Sequence, residues 1–243
     1  MAVAGVQSGG RAFMDLHCHT SASFDCLSAP SAVVRAAASR GLTHLAITDH
    51  ETIDGALEAR EAARKHAPDL TVIVGEEVRT LEGDLIALYI ERAVPRGLSV
   101  AETIAAVREQ GGLIGVPHPF DRYRGSLLQA LAGSPFESPV DWIEVHNARV
   151  MVGDGNTQAA AYAAEYGLPG VAVSDAHSVI EVGVAYTALD GDPGTPAGLL
   201  AALPTAELVT GRASYYVRLI TPVAKVVQRL RGHHRPVPAG GPL

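Results

Sequence analysis

Phe13-Met14-Asp15-Leu16-His17-Cys18-His19-Thr20 is an apolar run that ends in two histidines one residue apart. On an extended strand side chains alternate between faces, so His17 and His19 point one way while Leu16 and Cys18 point the other. Two imidazoles on one strand end make half of a metal site, and two ordinary surface or core histidines are the alternative. The rest of the chain decides between them.

Downstream, strand-like and helix-like segments alternate. Ser28 and Pro30 open a helical pattern that stops at Gly41, and His44 to Thr48 is strand-like and ends in Asp49-His50. A helix over 52–66 leads to Leu70–Val74, which runs into Gly75-Glu76-Glu77. Asp84 to Ile90 reads as an antiparallel or bulged neighbour of that strand. Ser99 to Glu102 is a capping box, and the helix it starts stops at Gly111-Gly112. Leu113–Val116 ends in Pro117-His118-Pro119, a short helix follows at 127–131, and Trp142–Val145 ends in His146-Asn147. After a helix over 157–166, Val171–Val173 ends in Ser174-Asp175-Ala176-His177, with weaker strands at 186–189 and 208–210. Such alternation predicts an α/β fold of mostly parallel strands, as an open sheet or a closed barrel.

The chain has 243 residues, 47% of them hydrophobic and 19% charged, enough for one large domain with a sizeable core. A formal net charge of -7 argues against a long duplex nucleic acid as partner, although bound metal ions would attract a short anion. No apolar run approaches a membrane span, no leader is evident, and the two cysteines, Cys18 and Cys26, suit buried thiols. A soluble cytoplasmic protein is expected, with its oligomeric state open.

In a barrel, residues at the carboxyl ends of the strands converge on one rim. Here those are His17 and His19, Asp49 and His50, Glu77, His118, Glu144 with His146 and Asn147, and Asp175 with His177. Five ordered motifs, Asp-Leu-His-Cys-His-Thr at 15–20, Ile-Thr-Asp-His at 47–50, Gly-Glu-Glu-Val at 75–78, Pro-His-Pro-Phe at 117–120 and Ser-Asp-Ala-His at 174–177, resemble those of the PHP (polymerase and histidinol phosphatase) family over about residues 13–190. His146-Asn147-Ala148-Arg149 and the Ser-Asp-Ala-His segment are also similar to the C-terminal module that accompanies stand-alone members. The resemblance implies a distorted (β/α)7 TIM-like barrel whose two or three divalent metal ions hydrolyse phosphate esters. It would cover 13–228, after an N-terminal extension of 1–12 and before a Pro/Gly-rich, frayed tail at 229–243.

Residue by residue, the resemblance implies that His17, His19, Glu77 and Asp175 hold one metal, that Glu77 bridges to a second held by His118, and that Asp25, His50 and His177 hold a third. Where the family pattern has a further histidine this chain has Asp84, either a carboxylate ligand or a turn residue beside Gly83. Imidazole and carboxylate ligands favour Mn or Fe and also admit Zn. Glu77, Asp175 and His177 are the expected catalytic residues, acting with a metal-bound hydroxide, so no covalent nucleophile is needed. Asp15 and Asp49 are read as orienting imidazoles through their free N–H groups. Arg122 and Arg149 follow rim motifs and would contact phosphate, or else form surface ion pairs. His146 is read as a substrate contact, a ligand or a group packed behind the ligands, and His44, His66, His233 and His234 as solvated.

The expected substrate is a small phosphate monoester, a nucleotide or a short oligonucleotide end. Histidinol phosphate or another small metabolite ester is the second enzymatic reading. A non-catalytic, metal-stabilised binding module is the reading from another class.

Overall fold

A computed structural model describes residues 10–130, 139–213 and 217–233. The first strand, β1 (Arg11–Asp15), is followed by α1 (Pro30–Ser39), β2 (His44–Ile47) and α2 (Asp54–His66). Next come β3 (Thr71–Arg79), β4 (Asp84–Leu88), α3 (Val100–Glu109), β5 (Leu113–Val116) and α4 (Leu127–Ala130). The order continues with β6 (Trp142–Asn147), α5 (Gly155–Tyr166), β7 (Gly170–Val173), β8 (Tyr186–Asp190), α6 (Pro196–Ala202), β9 (Glu207–Val209) and α7 (Val217–Leu230). β1 begins two residues inside the expected extension, and α7 runs two residues into the expected tail. Residues 1–9, 131–138, 214–216 and 234–243, with Leu131, His234 and most of the tail among them, lie outside the described residues. None of the described helices is long and apolar enough to cross a membrane.

The strands form one sheet in the order β7-β6-β5-β4-β3-β2-β1-β8-β9. β1, β2 and β3 are parallel, as are β5, β6 and β7, while β4 runs antiparallel to both its neighbours. Beyond β1 and β7 the two chain segments meet again, where Cys18 bridges Ala176 and His19 N–H donates to Ala176 O at 2.9 Å. Lower down, Thr187 Oγ1 of β8 is 2.9 Å from both the N–H and the carbonyl of Ala172 in β7. These contacts curl the sheet into a nearly closed, distorted TIM-like barrel.

Alternation sorts the strand residues into two cores. Ala46, Ile73, Ile86, Leu88, Leu113, Trp142, Val171 and Val173 fill the interior, with Leu199 and Ala202 of α6. Leu45, Ile47, Val72, Val74, Leu85, Ile114 and Ile143 face outward onto Val33, Val34 and Ala37 of α1, Ala56, Ala59 and Ala63 of α2, and Ile104 and Val107 of α3. The capping box forms as expected, with Ser99 and Glu102 each satisfying the other's backbone N–H.

Two breaks in this period position the site. Met14 and Leu16 both belong to the interior and Cys18 to the outer core, so the alternation shifts after Leu16 and turns His17 and His19 inward. In β6 a bulge between Glu144 and His146 sends His146 outward, where its Nε2 lies 2.8 Å from Gly211 O, and returns Asn147 to the inside.

Candidate metal centre

At the carboxyl rim, three groups of ligand atoms meet. The first contains His17, His19 and Glu77, the second Glu77, Asp84 and His118, the third His19, Asp25, His50 and His177. All but half-buried His50 are buried. Glu77 links the three: Oε1 is 2.9 Å from His118 Nε2, and Oε2 is 3.3 Å from both His17 Nε2 and His50 Nδ1. Asp84 reaches this rim because β4 runs antiparallel, which puts its first residue where its neighbours end.

Around the first group the geometry is that of a cage. His17 Nε2 and His19 Nε2 are 3.0 Å apart, and they lie 3.3 and 3.4 Å from Glu77 Oε2 and 3.7 and 3.6 Å from Asp175 Oδ1. Four donors at bond lengths of about 2.0–2.2 Å around a tetrahedral ion would be about 3.3–3.6 Å apart. Asp175 Oδ1 and His19 Nδ1 are buried without a hydrogen-bond partner. An orphaned carboxylate oxygen facing two imidazole nitrogens fits a divalent cation. His118 and Asp175 have positive φ, 28° and 53°, a backbone conformation that concentrates at functional sites.

Charge is arranged for the same end. Burial opposes ionisation of Glu77, Asp25 and Asp175, but basic neighbours and the hydrogen bonds they make outweigh it and hold all three well below the usual carboxylate range. Those neighbours are His50 and His17 for Glu77, His177 and His50 for Asp25, and Arg124 and His17 for Asp175. His19, pushed down to about 4 by burial and then by His177, stays neutral with its lone pair free. Asp84 rises to about 6 through burial and the Glu77 charge, and Arg79 Nε holds it at 2.8 Å.

Behind the ligands, Glu144 Oε1 is 2.6 Å from His17 Nδ1, while Asp15 and Asp49 do not orient imidazoles as expected. Asp15 accepts the Ser174 and Gly183 N–H groups at 3.0 Å, and Asp49 accepts both N–H and Oγ–H of Thr20 at 2.6 Å. These two aspartates tie loops together, because their side chains lie on the outer side of the alternation. Cys18 and Cys26 are free, buried thiols.

Beside the cluster opens a cavity of about 340 Å³ lined by Asp25, Tyr123, Arg124, Arg149, His177 and Lys225, among others. Arg149 donates to Thr221 Oγ1 at 2.7 Å and lies 3.7 Å from Glu181, and its Nη1 is buried without a partner. Arg124, which sequence reasoning passed over, pairs with Asp175 and Asp121. Arg122, two residues earlier, is instead exposed and 4.0 Å from Asp154 on the outer surface. The turn is wound by Asp121, which accepts the Tyr123 N–H, and by Ser126, which donates to His118 O, so one arginine points in and the other out. His146 is likewise not brought to the cluster. His44 is a further correction: it is buried at the start of β2 between Thr43 Oγ1 at 2.9 Å and Asp192 at 3.1 Å, whereas exposed His66 and His233 fit the solvated reading.

Comparison with known proteins agrees with this architecture. Residues 15–124 match the PHP domain family and residues 153–207 the PHP-associated family. An uncharacterized protein of Methanocaldococcus jannaschii is 35% identical over 144 residues, 55% of this chain and 81% of that one. A 5′-3′ exoribonuclease of Haemophilus influenzae is 33% identical over 119 residues, 44% of this chain and 42% of that one. A two-domain protein from Bacteroides vulgatus, described as containing a predicted PHP-like metal-dependent phosphoesterase, superimposes with a TM-score of 0.66 at 18% identity, over 86% of this chain and 68% of that chain. With the barrel, its ligand-bearing rim and these matches together, the chain belongs to the PHP family.

Proposed function

We propose that this protein is a divalent-metal-dependent phosphoesterase that hydrolyses phosphate monoesters at nucleotides or short oligonucleotide ends. The observation that carries the reading is the cage of His17, His19, Glu77 and Asp175, two of which, Glu77 and Asp175, line a cleft that shares Asp25, Tyr123, Arg124, His177 and Lys225 with the neighbouring cavity, where Arg149 has an unpartnered nitrogen. His17, His19, Glu77 and Asp175 would hold one ion, Glu77, His118 and Asp84 a second, and Asp25, His50 and His177 a third, with Mn or Fe favoured and Zn admitted by the donor set. Bound there, the ions would activate water at neutral pH and offset charge on the attacking and leaving oxygens.

The chain's own groups do the rest. Arg149 and Lys225 would draw the phosphate into the cavity, and Arg124 would hold Asp175 so that its other oxygen faces the imidazoles. Glu77, Asp175 and His177 form the wall against which the ester phosphorus comes to rest. Tyr123, 78% exposed at the mouth of the cavity, offers a ring on which a base can stack. Similarity to an exoribonuclease supports a nucleotide-containing substrate. The buried free thiols suit a cytoplasmic location.

The test is phosphate release from a chromogenic monoester, a nucleoside monophosphate and a 5′-phosphorylated oligonucleotide, beside a diester, with and without Mn²⁺. Metal-dependent release from the monoesters is expected. No turnover of any of them by metal-loaded protein would overturn the reading in favour of a non-catalytic module.

A further inference from the structure

Helix α7 lies outside both family matches, yet one of its side chains reaches the wall of the candidate centre. Gln228 is fully buried, and its Nε2 faces three backbone carbonyls, Ser21 O at 2.7 Å, Ser23 O at 2.9 Å and Cys26 O at 2.8 Å. All three belong to the loop between β1 and α1, and Ser23 and Cys26 flank the pair Phe24-Asp25. The same helix places Lys225 Nζ 5.5 Å above the Phe24 ring. Within the loop, Ser23 Oγ donates to Asp25 Oδ1 at 2.9 Å, which leaves Oδ2 3.2 Å from His177 Nε2 and 3.5 Å from His50 Nε2.

This grip is specific in its chemistry. Three carbonyl oxygens pointing at one buried spot need a donor, and an apolar or anionic side chain there would leave them unpaired. Released from it, the loop would relax toward water and carry Asp25 away from the two histidines.

We propose that Gln228 is a positioning residue for the Asp25–His50–His177 group: α7 holds the loop in the shape that presents Asp25, and this group alone among the three depends on it for metal affinity. The inference rests on the metal-centre reading above and goes beyond it in assigning α7 a part in that centre.

The test titrates Mn²⁺ into the metal-free full chain, with free Mn²⁺ followed by its paramagnetic resonance, beside hydrogen exchange of residues 20–28. Gln228→Met, similar in length but without donors, is expected to weaken one ion by about 10–100-fold, as loss of an outer partner does. The remaining ions should bind as in wild type, and exchange over 20–28 should quicken while 113–116 stays protected. Asp25→Asn should weaken the same ion, and the double variant should be no weaker than Asp25→Asn alone, because Gln228 acts through that residue. Val226→Ser, on the exposed side of α7, should change none of these. Unaltered binding in Gln228→Met, equal loss of every ion, or additivity in the double variant would overturn the proposal. Should Gln228→Met fail to fold, Gln228→Asn, which shortens the amide, is read the same way. If the wild type binds no ion that Asp25→Asn removes, the three-metal reading fails; exchange over 20–28 then decides Gln228's hold on the loop separately, and unchanged exchange overturns it.

Discussion

Glu144 Oε1 lies 2.6 Å from His17 Nδ1, and the other oxygen of the same carboxylate accepts the His118 backbone N–H and the Asn147 amide, both at 2.8 Å. One buried carboxylate from β6 thus orients a histidine from the β1 extension and the loop that presents His118 after β5. An amide in its place would turn an N–H toward one of these donors whichever way it flipped. Glu144→Gln is therefore expected to weaken metal binding by about 10–100-fold while the barrel stays folded. Metal titration beside thermal unfolding checks both halves.

Glu77 is the residue shared by the first two ligand groups and in contact with the third. Glu77→Gln removes the charge that faces His17, His50 and His118, and should lower kcat on a phosphate monoester by on the order of 10³ or more. Elemental analysis should find fewer ions per chain. Full activity with full metal content would contradict the proposed centre.

Arg149 and Arg122, the two arginines that follow rim motifs in the sequence, should behave differently. Removal of a charge-assisted hydrogen bond worth roughly 1.5–3 kcal/mol predicts that Arg149→Ala raises KM by about 10–150-fold, with Arg149→Lys intermediate because a point charge remains without the fork. Arg122, 70% exposed beside Asp154, should tolerate alanine with kcat/KM within about twofold. Steady-state kinetics on one monoester separates these outcomes.

His44 sets a pH dependence away from the metal ligands. Burial lowers its pKa below the ordinary value, more strongly than Asp192 raises it. A histidine with a depressed folded-state pKa adds stability above the unfolded pKa of about 6.5 and loses that contribution as pH falls through the folded value. The contribution of His44 should therefore fall away below about pH 6.5, so that metal-free His44→Gln loses less stability toward low pH than the metal-free wild type does. Urea unfolding between pH 5 and 8 measures it.

Trp142 fills the barrel over Gly115, whose missing Cβ would stand 2.2 Å from the indole Cε2. Gly115→Ala must push the ring or the strand aside, a cost of about 1–3 kcal/mol. Because Trp142 is the only tryptophan, its fluorescence reports both the displacement and the unfolding midpoint.

Much of the fold was legible because strands and helices leave local periods. The runs ending at His17-Cys18-His19, Asp49-His50, Glu77, His118 and Asp175-Ala176-His177 became strand ends on one rim, and even the antiparallel β4 was foreshadowed by the short link at Glu82-Gly83. Arg122 and Arg124 were not separable, since a loop has no period and its winding depends on what Asp121 and Ser126 bind. His146 was misread because a bulge cancels alternation where no residue type announces it.

Local order in the chain was enough, by itself, to specify an alternating α/β fold and the types of side chain at its strand ends, because backbone geometry repeats every two or 3.6 residues and hydrophobicity follows it. Which of those side chains face one another was settled only by the closed sheet. Glu144 behind His17 and Arg124 on Asp175 pair residues 127 and 51 positions apart, and Gln228 meets the Asp25 loop across 202 to 207. Contacts at such separations are chosen by packing and by the need to satisfy buried charge and hydrogen bonds, and no local pattern encodes them.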